Sequence, residues 1–421
     1  DKYIIANNKG ISLSGWSNLS VKNYLDQDLD KLKLKNISLD LGNYFSEIVL
    51  LDSIVYMGMY YSSSAGIASF DISNELKFKN SLITNKDMSL NGFHFFVPDI
   101  TLDRKNNLWA ISKNNKMKPI TVIKDDQTRY LSIEESNYLL SNDSNTLTVD
   151  NFNRLWIGSP DGLIMYKYEG DIMNPIGEIW LKENIDPGLV NRIPLDISIS
   201  KKNRMWILTS IGLIYKDLQV SESDPVIKTG PIAGQNDLNP YFPSILFNDR
   251  SKIRFDPRGN IWLTTHSDGV FVLTADGEYW PDINGLNTSN SNLLSDHVND
   301  ISFDSKNGLA YIATNKGVSI IRIPYADEKK SYQYVEIFPS PFIIPNNKPL
   351  TINGLRDNSE IKIMTLNGIV IKTIYQSEVK GYQAYWNGLD DQGNLVGSGV
   401  YLIAIYNNDS STIEKVAVIR G

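Results

Sequence analysis

Apolar residues in this chain fall into short runs separated by polar turns, and one run recurs at a near-constant interval. It reads Leu108-Trp109-Ala110-Ile111, Leu155-Trp156-Ile157-Gly158, Met205-Trp206-Ile207-Leu208, Ile261-Trp262-Leu263-Thr264 and Ala310-Tyr311-Ile312-Ala313. Each copy follows a polar turn and precedes a second short apolar run. Taking the aromatic position as anchor, Ile4, Tyr56, Trp109, Trp156, Trp206, Trp262 and Tyr311 are spaced by 52, 53, 47, 50, 56 and 49 residues. Such a period means one supersecondary unit repeated.

The unit predicts three clear strands and a variable fourth. The first is an alternating run such as Ile253-Arg254-Phe255 or Ile301-Ser302-Phe303. A turn follows, led by Asp103, Asp150, Asp256 or Asp304, where a carboxylate can accept backbone N–H groups two residues on. Asn106-Asn107, Gly259-Asn260 and Asn307-Gly308 close it, at positions that often need positive φ. The aromatic strand comes next, and a glycine turn (Gly162, Gly212, Gly269, Gly317) leads into the third strand. Four strands in about fifty residues is the size of a β-propeller blade. A β-helix repeat is much shorter, and separate sandwich domains do not explain the regular turn, aromatic strand and glycine turn. The pattern therefore predicts an all-β chain with a seven-bladed propeller over residues 1–325, its tryptophans packed between neighbouring blades. The first copy opens at Asp1 almost directly on the strand-like Tyr3-Ile4-Ile5-Ala6, without its leading half. The expectation is that its inner strands lie upstream, in a chain that is mature or truncated and already without an export signal.

The repeat breaks at Ala326-Asp327-Glu328-Lys329-Lys330-Ser331, which reads as a linker over 326–334. Residues 335–421 then predict a small immunoglobulin-like β-sandwich. Glu360-Ile361-Lys362-Ile363 alternates, Leu366-Asn367-Gly368 is a hairpin turn, and Gly399 to Ile405 and Lys415 to Ile419 read as the last two strands.

Four motifs in this tail carry a resemblance. Val335-Glu336-Ile337-Phe338-Pro339-Ser340-Pro341 resembles the opening strand of the type A sorting domain of the Bacteroidetes type IX secretion system, with Ser340 where Asn is usual. Trp386-Asn387-Gly388-Leu389-Asp390-Asp391-Gln392-Gly393 resembles its Trp-Asp-Gly loop, Gly397-Ser398-Gly399-Val400-Tyr401 its Gly-Val-Tyr strand, and Lys415 to Arg420 its basic, apolar end. The motif residues are Pro339, Pro341, Trp386, Gly388, Asp390, Gly393, Gly399 and Tyr401. In the repeat, Asn290 to Asp304 is similar to the two-component-regulator propeller unit. Together these features resemble the PorZ-like surface components of type IX secretion, which carry two propellers before a C-terminal domain. The resemblance implies that this chain matches the second propeller and that domain. It also implies an outer-membrane-associated, cell-surface role in the attachment complex with PorU-, PorV- and PorQ-like proteins, binding of anionic lipopolysaccharide, and support of the PorU sortase. The alternatives are an exported surface cargo whose propeller binds a glycan or protein and whose tail is only a secretion signal, and a propeller lyase.

Composition narrows the chemistry. With 41 Lys and Arg against 48 Asp and Glu, the formal charge of -7 argues against general nucleic-acid binding. There is no cysteine, so neither disulfides nor thiolate metal sites arise. No apolar run is long enough to span a membrane as a helix. The three histidines, His94, His266 and His297, lie far apart in sequence and read as structural or surface residues; His266, just past an aromatic strand, is the first to test. Asp125-Asp126 and Asp390-Asp391 read as solvated loop acids rather than an acid–base pair. No cofactor, metal site or catalytic group is expected, and the chain reads as a non-enzyme. Lys113, Lys116 and Lys118 beyond one aromatic strand, and Lys201, Lys202 and Arg204 in another turn, are candidates to contact phosphate or carboxylate groups, with His266 beside them. Trp180, Trp280 and Trp386 are candidates to stack on sugars as exposed aromatics.

Overall fold

The computed structural model describes residues 2–7, 10–15, 24–25, 35–38, 45–59, 66–71, 77–84, 96–113, 117–125, 127–160, 162–183, 193–220, 240–305, 308–323, 331–345, 349–356, 358–379 and 382–421. Among them there is no α-helix, and no helix is long and apolar enough to cross a membrane. The fold is all-β, and seven small sheets precede residue 326 as the blades of a propeller.

Blades 3 and 4 show the complete pattern. Blade 3 joins Phe96–Leu102, Leu108–Lys113, Ile120–Lys124 and Gln127–Leu131; blade 4 joins Thr146–Val149, Leu155–Ser159, Gly162–Asp171 and Asn174–Glu183. Both are antiparallel meanders, with Trp109 opposite Thr101 and Val122, and Trp156 opposite Thr148 and Met165. Blade 2 starts at Phe45–Leu51. Blade 5 starts at Pro194–Ile199, blade 6 at Ile253–Phe255 and blade 7 at Val298–Asp304.

The first copy contributes a strand to the last blade, which the repeat pattern does not reveal. Lys2–Asn7, Gly10–Gly15 and Lys35–Ser38 form a three-stranded sheet. Tyr24–Leu25 leaves that copy and pairs with Gly317–Arg322, as the outermost strand of blade 7. Among the described residues the last repeat shows three strands of its own, Val298–Asp304, Leu309–Thr314 and Gly317–Arg322. An exposed strand edge leaves backbone N–H and C=O groups unpaired, and a segment distant in sequence covers this one.

The aspartate-led turns work as their spacing suggests, and they do more. Asp103 Oδ1 accepts the N–H of Lys105 at 2.8 Å and of Asn107 at 2.9 Å. Its Oδ2 accepts the Asn107 amide, the Trp109 indole N–H at 3.0 Å and the Tyr168 hydroxyl. Asp150 repeats the arrangement, taking the N–H of Phe152 and Arg154 on Oδ1, and Arg154 Nε and the Trp156 indole on Oδ2. Asn106, Asn153 and Gly259 hold φ of 63, 62 and 83° there. Each aspartate thus closes a turn and fixes the ring that follows six residues later. Each carboxylate oxygen of Asp103 and Asp150 takes at least two donors.

The tryptophans pack between blades. Trp109 shares a core with Leu147, Leu155 and Ile164 of blade 4, and Trp156 with Ile197, Met205 and Ile207 of blade 5. Both rings are 1 % exposed, so truncating either to alanine costs on the order of 3–5 kcal/mol.

By compactness the chain divides into two units. One comprises Asp1–Arg254, Ile261–Ile301 and Ile312–Ser319; the other comprises Phe255–Asn260, Ser302–Tyr311 and Ile320–Gly421. In the second, a three-stranded sheet (Glu336–Phe338, Leu350–Asn353, Gln383–Trp386) and a five-stranded sheet share one core. In the five-stranded sheet Phe342–Ile344 runs parallel to Ser411–Arg420, which is followed by Gly399–Tyr406, Glu360–Thr365 and Val370–Ile374. Phe342, Ile352, Ile363, Trp386 and Ile403 fill the space between them.

Candidate functional site

Ten residues before five of the six aromatic anchors stands a polar residue: Ser46, Asp99, Thr146, Asp196 and Lys252 precede Tyr56, Trp109, Trp156, Trp206 and Trp262, whereas Ile301 precedes Tyr311. All five polar residues lie in or beside a blade's first strand, where an apolar side chain would be expected if the centre were simply core. The first strands of a propeller line its central channel, so these residues converge although they are spread over two hundred positions. The repeat carries this signal in plain view, but the alternating patterning hides it behind the much stronger aromatic strand.

The result is a continuous charged network across six blades. The Thr146 hydroxyl lies 2.9 Å from Asp99 Oδ2 and 3.2 Å from Asp196 Oδ1. Asp99 Oδ2 also accepts the Leu147 N–H at 2.9 Å, and Asp196 Oδ2 accepts the Ile253 N–H at 2.6 Å. Lys252 Nζ is 3.6 Å from Glu47. Arg254 Nη2 reaches both Glu47 oxygens at 3.0 and 2.8 Å, and its guanidinium also takes Asp300 at 2.8 and 3.1 Å. The Arg254–Glu47 pair joins blade 6 to blade 2, which are not neighbours in the repeat order.

Its protonation follows from geometry. A hydroxyl has one hydrogen, so Thr146 can donate to only one of its two carboxylates. The other contact is favourable when that carboxyl holds a proton. Burial pushes the Asp99 carboxyl up to about 7, with the charges of Glu47 and Asp196 adding to the rise and Lys252 opposing it. Burial also raises Asp196, against Lys252 and Arg254. Glu47 goes the other way: burial would raise it, but Arg254 and Lys252 hold it below the ordinary carboxylate range. Burial alone would lower Lys252, yet Asp196, Asp99 and Glu47 keep it firmly charged.

A second cluster sits at the strand ends nearest this network. His266 and His297, expected to be apart, stack at 4.2 Å with an interplanar angle of 19°. The His266 imidazole is pushed down to about 4, first by burial, then by His297 and Arg250, against Asp249. Lys113 lies 4.0 Å from Asp249 and 3.5 Å from Asn145, whose amide donates to Asp249 O and Leu195 O. The structure thus links Lys113 and His266 through Asp249, a residue the repeat pattern does not single out.

The remaining predicted residues are elsewhere. Lys118 approaches the Tyr130 ring at 5.8 Å, and Lys116 lies outside the described residues, as do His94 and Asp126. Lys201 and Lys202 are exposed in the turn at the opposite end of blade 5 from Asp196. Arg204, expected in the same turn, instead opens the strand Arg204–Thr209, is held by Asp217 at 2.5 and 3.1 Å and stacks on Tyr215 at 4.3 Å. Of the aromatics expected to be exposed, Trp386 is instead 1 % exposed and packs against Phe342 and Tyr401; Trp180 lies on Tyr166 and Trp280 on Trp262. The physical reason is the same for all three, since each ring completes an aromatic cluster.

The motif residues of the tail build one corner of the sandwich. The Trp386 indole donates to Leu389 O at 2.8 Å, and the Tyr401 hydroxyl donates to Gly397 O at 2.8 Å. Asp390 accepts the N–H of Asn394 and Gln392, and the first of these bonds chiefly lowers its pKa. Gly388 has φ of 79°, and a Cβ there would meet Ile344 Cγ2 at 2.7 Å. Gly393, at φ 82°, turns the loop back, and Gly399 opens the strand containing Tyr401. Pro339 and Pro341 are exposed, each after a cis peptide bond.

No family model and no curated protein matches the chain. Among solved structures it is similar to PorZ, described as an essential bacterial surface component of the type IX secretion system of Porphyromonas gingivalis. The two share 17% identity and a TM-score of 0.66 over 97% of this chain. The chain spans 56% of the length of that structure. The extracellular domains of two putative hybrid two-component systems of B. thetaiotaomicron align over 100% of the chain. Their identities are 14% and 16%, their TM-scores 0.42 and 0.43, and 48% and 61% of their own lengths are covered. Of these likenesses, the one to PorZ bears on the fold.

Proposed function

We propose that the chain is a non-catalytic, cell-surface scaffold of type IX secretion, working in the attachment complex beside PorU-, PorV- and PorQ-like proteins. What supports this reading is the alignment with PorZ over 97% of the chain, beside the regulator-type and sorting-type motifs read in the sequence. On this reading residues 1–325 are the propeller, 326–334 the linker and 335–421 an immunoglobulin-like sorting domain. Anionic lipopolysaccharide is the ligand, with Lys113, Lys116, Lys118, Lys201, Lys202, Arg204 and His266 as its first candidate contacts. Lys201 and Lys202 suit such a role best, because both are exposed and project from one turn.

The deciding experiment is mass spectrometry of the protein recovered from its native cell surface. Retention through Gly421, together with co-purification of a PorU-like protein, is the expected result. Loss of everything after about Ala326 with lipid attached, as for a cargo protein, would overturn it. A vesicle-binding assay with and without anionic lipopolysaccharide then tests the ligand, and Lys201→Ala/Lys202→Ala is expected to weaken binding.

A further inference from the structure

A cavity of about 520 Å³ opens in blade 6, between the loop entering the blade and the loop leaving it. Phe242 and Phe271 form its floor, edge to face at 5.5 Å and 61°, and both are buried. Ile283, at 56 % exposure, and Ile245 extend the apolar wall. Phe242 holds φ of 56°, a conformation a bulky side chain rarely adopts, and its ring is wedged against Tyr279 at 4.8 Å. The floor is therefore fixed in place before any ligand arrives.

The rim carries Asp268 and Asp296, with Asn284, Asn287 and Ser289. Asp268 accepts only the Ser267 hydroxyl, and Asp296 accepts the N–H and hydroxyl of Thr288. Among the described residues neither is ion-paired, whereas Glu47 and Asp300 of the channel are. Each carboxylate has up to about four acceptor sites, so both keep capacity for further donors. Two uncompensated carboxylates above an aromatic floor disfavour an anion and favour a cation with an apolar stem. A guanidinium suits them better than an ammonium, because its planar fork pairs bidentately with a carboxylate. Exposed asparagine and serine groups around the rim offer partners for an extended backbone.

We propose that this cavity is a docking pocket for an arginine side chain presented by an extended segment of a partner protein. The inference depends on the cavity alone and holds whether or not the chain serves type IX secretion. The test is saturation-transfer NMR of the full chain with acetyl-Gly-Arg-Gly-amide, against the same peptide with citrulline, a neutral near-isostere of arginine. The arginine peptide is expected to bind and the citrulline peptide to bind about tenfold more weakly or not at all. Asp268→Asn/Asp296→Asn is expected to abolish the difference. Ile283→Lys, at an exposed position that leaves the core intact, is expected to block the site with a built-in cation. Equal binding of the two peptides, unchanged arginine binding in both variants, or occupation of the cavity by a neutral probe sugar such as maltotriose in preference to the arginine peptide would overturn the proposal.

Discussion

Replacing Asp99 by asparagine is expected to change how the stability of the propeller depends on pH. The Asp99 carboxyl rises from an ordinary 3.8 to about 7 in the folded chain. A group whose folded pKa is raised binds more protons folded than unfolded between those two values, so stability falls as pH rises through that window. Each pKa unit corresponds to about 1.4 kcal/mol. Between about pH 5 and pH 8, ionisation of Asp99 therefore removes about 3 kcal/mol, most of it below pH 7. Asparagine keeps the acceptor oxygen for the Leu147 N–H and the Thr146 hydroxyl and carries no charge. Urea unfolding at a series of pH values, followed by tryptophan emission, measures the effect. The variant should be close to wild type near pH 5 and gain on it steadily toward pH 8. Wild-type and variant curves that run parallel would refute the reasoning, because the extra proton would then not reside on Asp99.

Other expectations concern separate parts of the chain. Asp150→Ala removes the acceptor for two backbone N–H groups, the Trp156 indole and the buried Arg154 Nε, and should cost about 3–5 kcal/mol in chemical denaturation. Gly388→Ala brings a methyl group to 2.7 Å from Ile344 Cγ2 at φ of 79°, and should destabilise the tail by about 1–3 kcal/mol while blade tryptophan emission stays unchanged. The His266 imidazole should remain neutral by NMR until about pH 4, and His297→Ala should raise its titration midpoint by removing the stacked ring. An ordinary midpoint near 6.5 in the wild type would show that the stack does not persist in solution.

The repeat was legible because its signal is local. An aspartate, an asparagine or glycine and an aromatic residue at fixed spacing define a turn and the ring it holds, and Asp103, Asp150 and Asp256 all do what their positions suggest. The tail was legible for the same reason, since Trp386, Gly388 and Asp390 act within one loop. Three features were not. The strand Tyr24–Leu25 closes a blade almost three hundred residues away, the two histidines meet across a blade boundary, and Phe242 joins Asp268 and Asp296 around a cavity. Sequence by itself determined the unit, its number of copies and the residues that make each turn. Only the tertiary structure decided which charges meet in the channel and where a cavity remains open. The physical reason is that a turn is fixed by bonds over a few residues, whereas the energy of a buried charge depends on whichever neighbours the closed fold brings within reach.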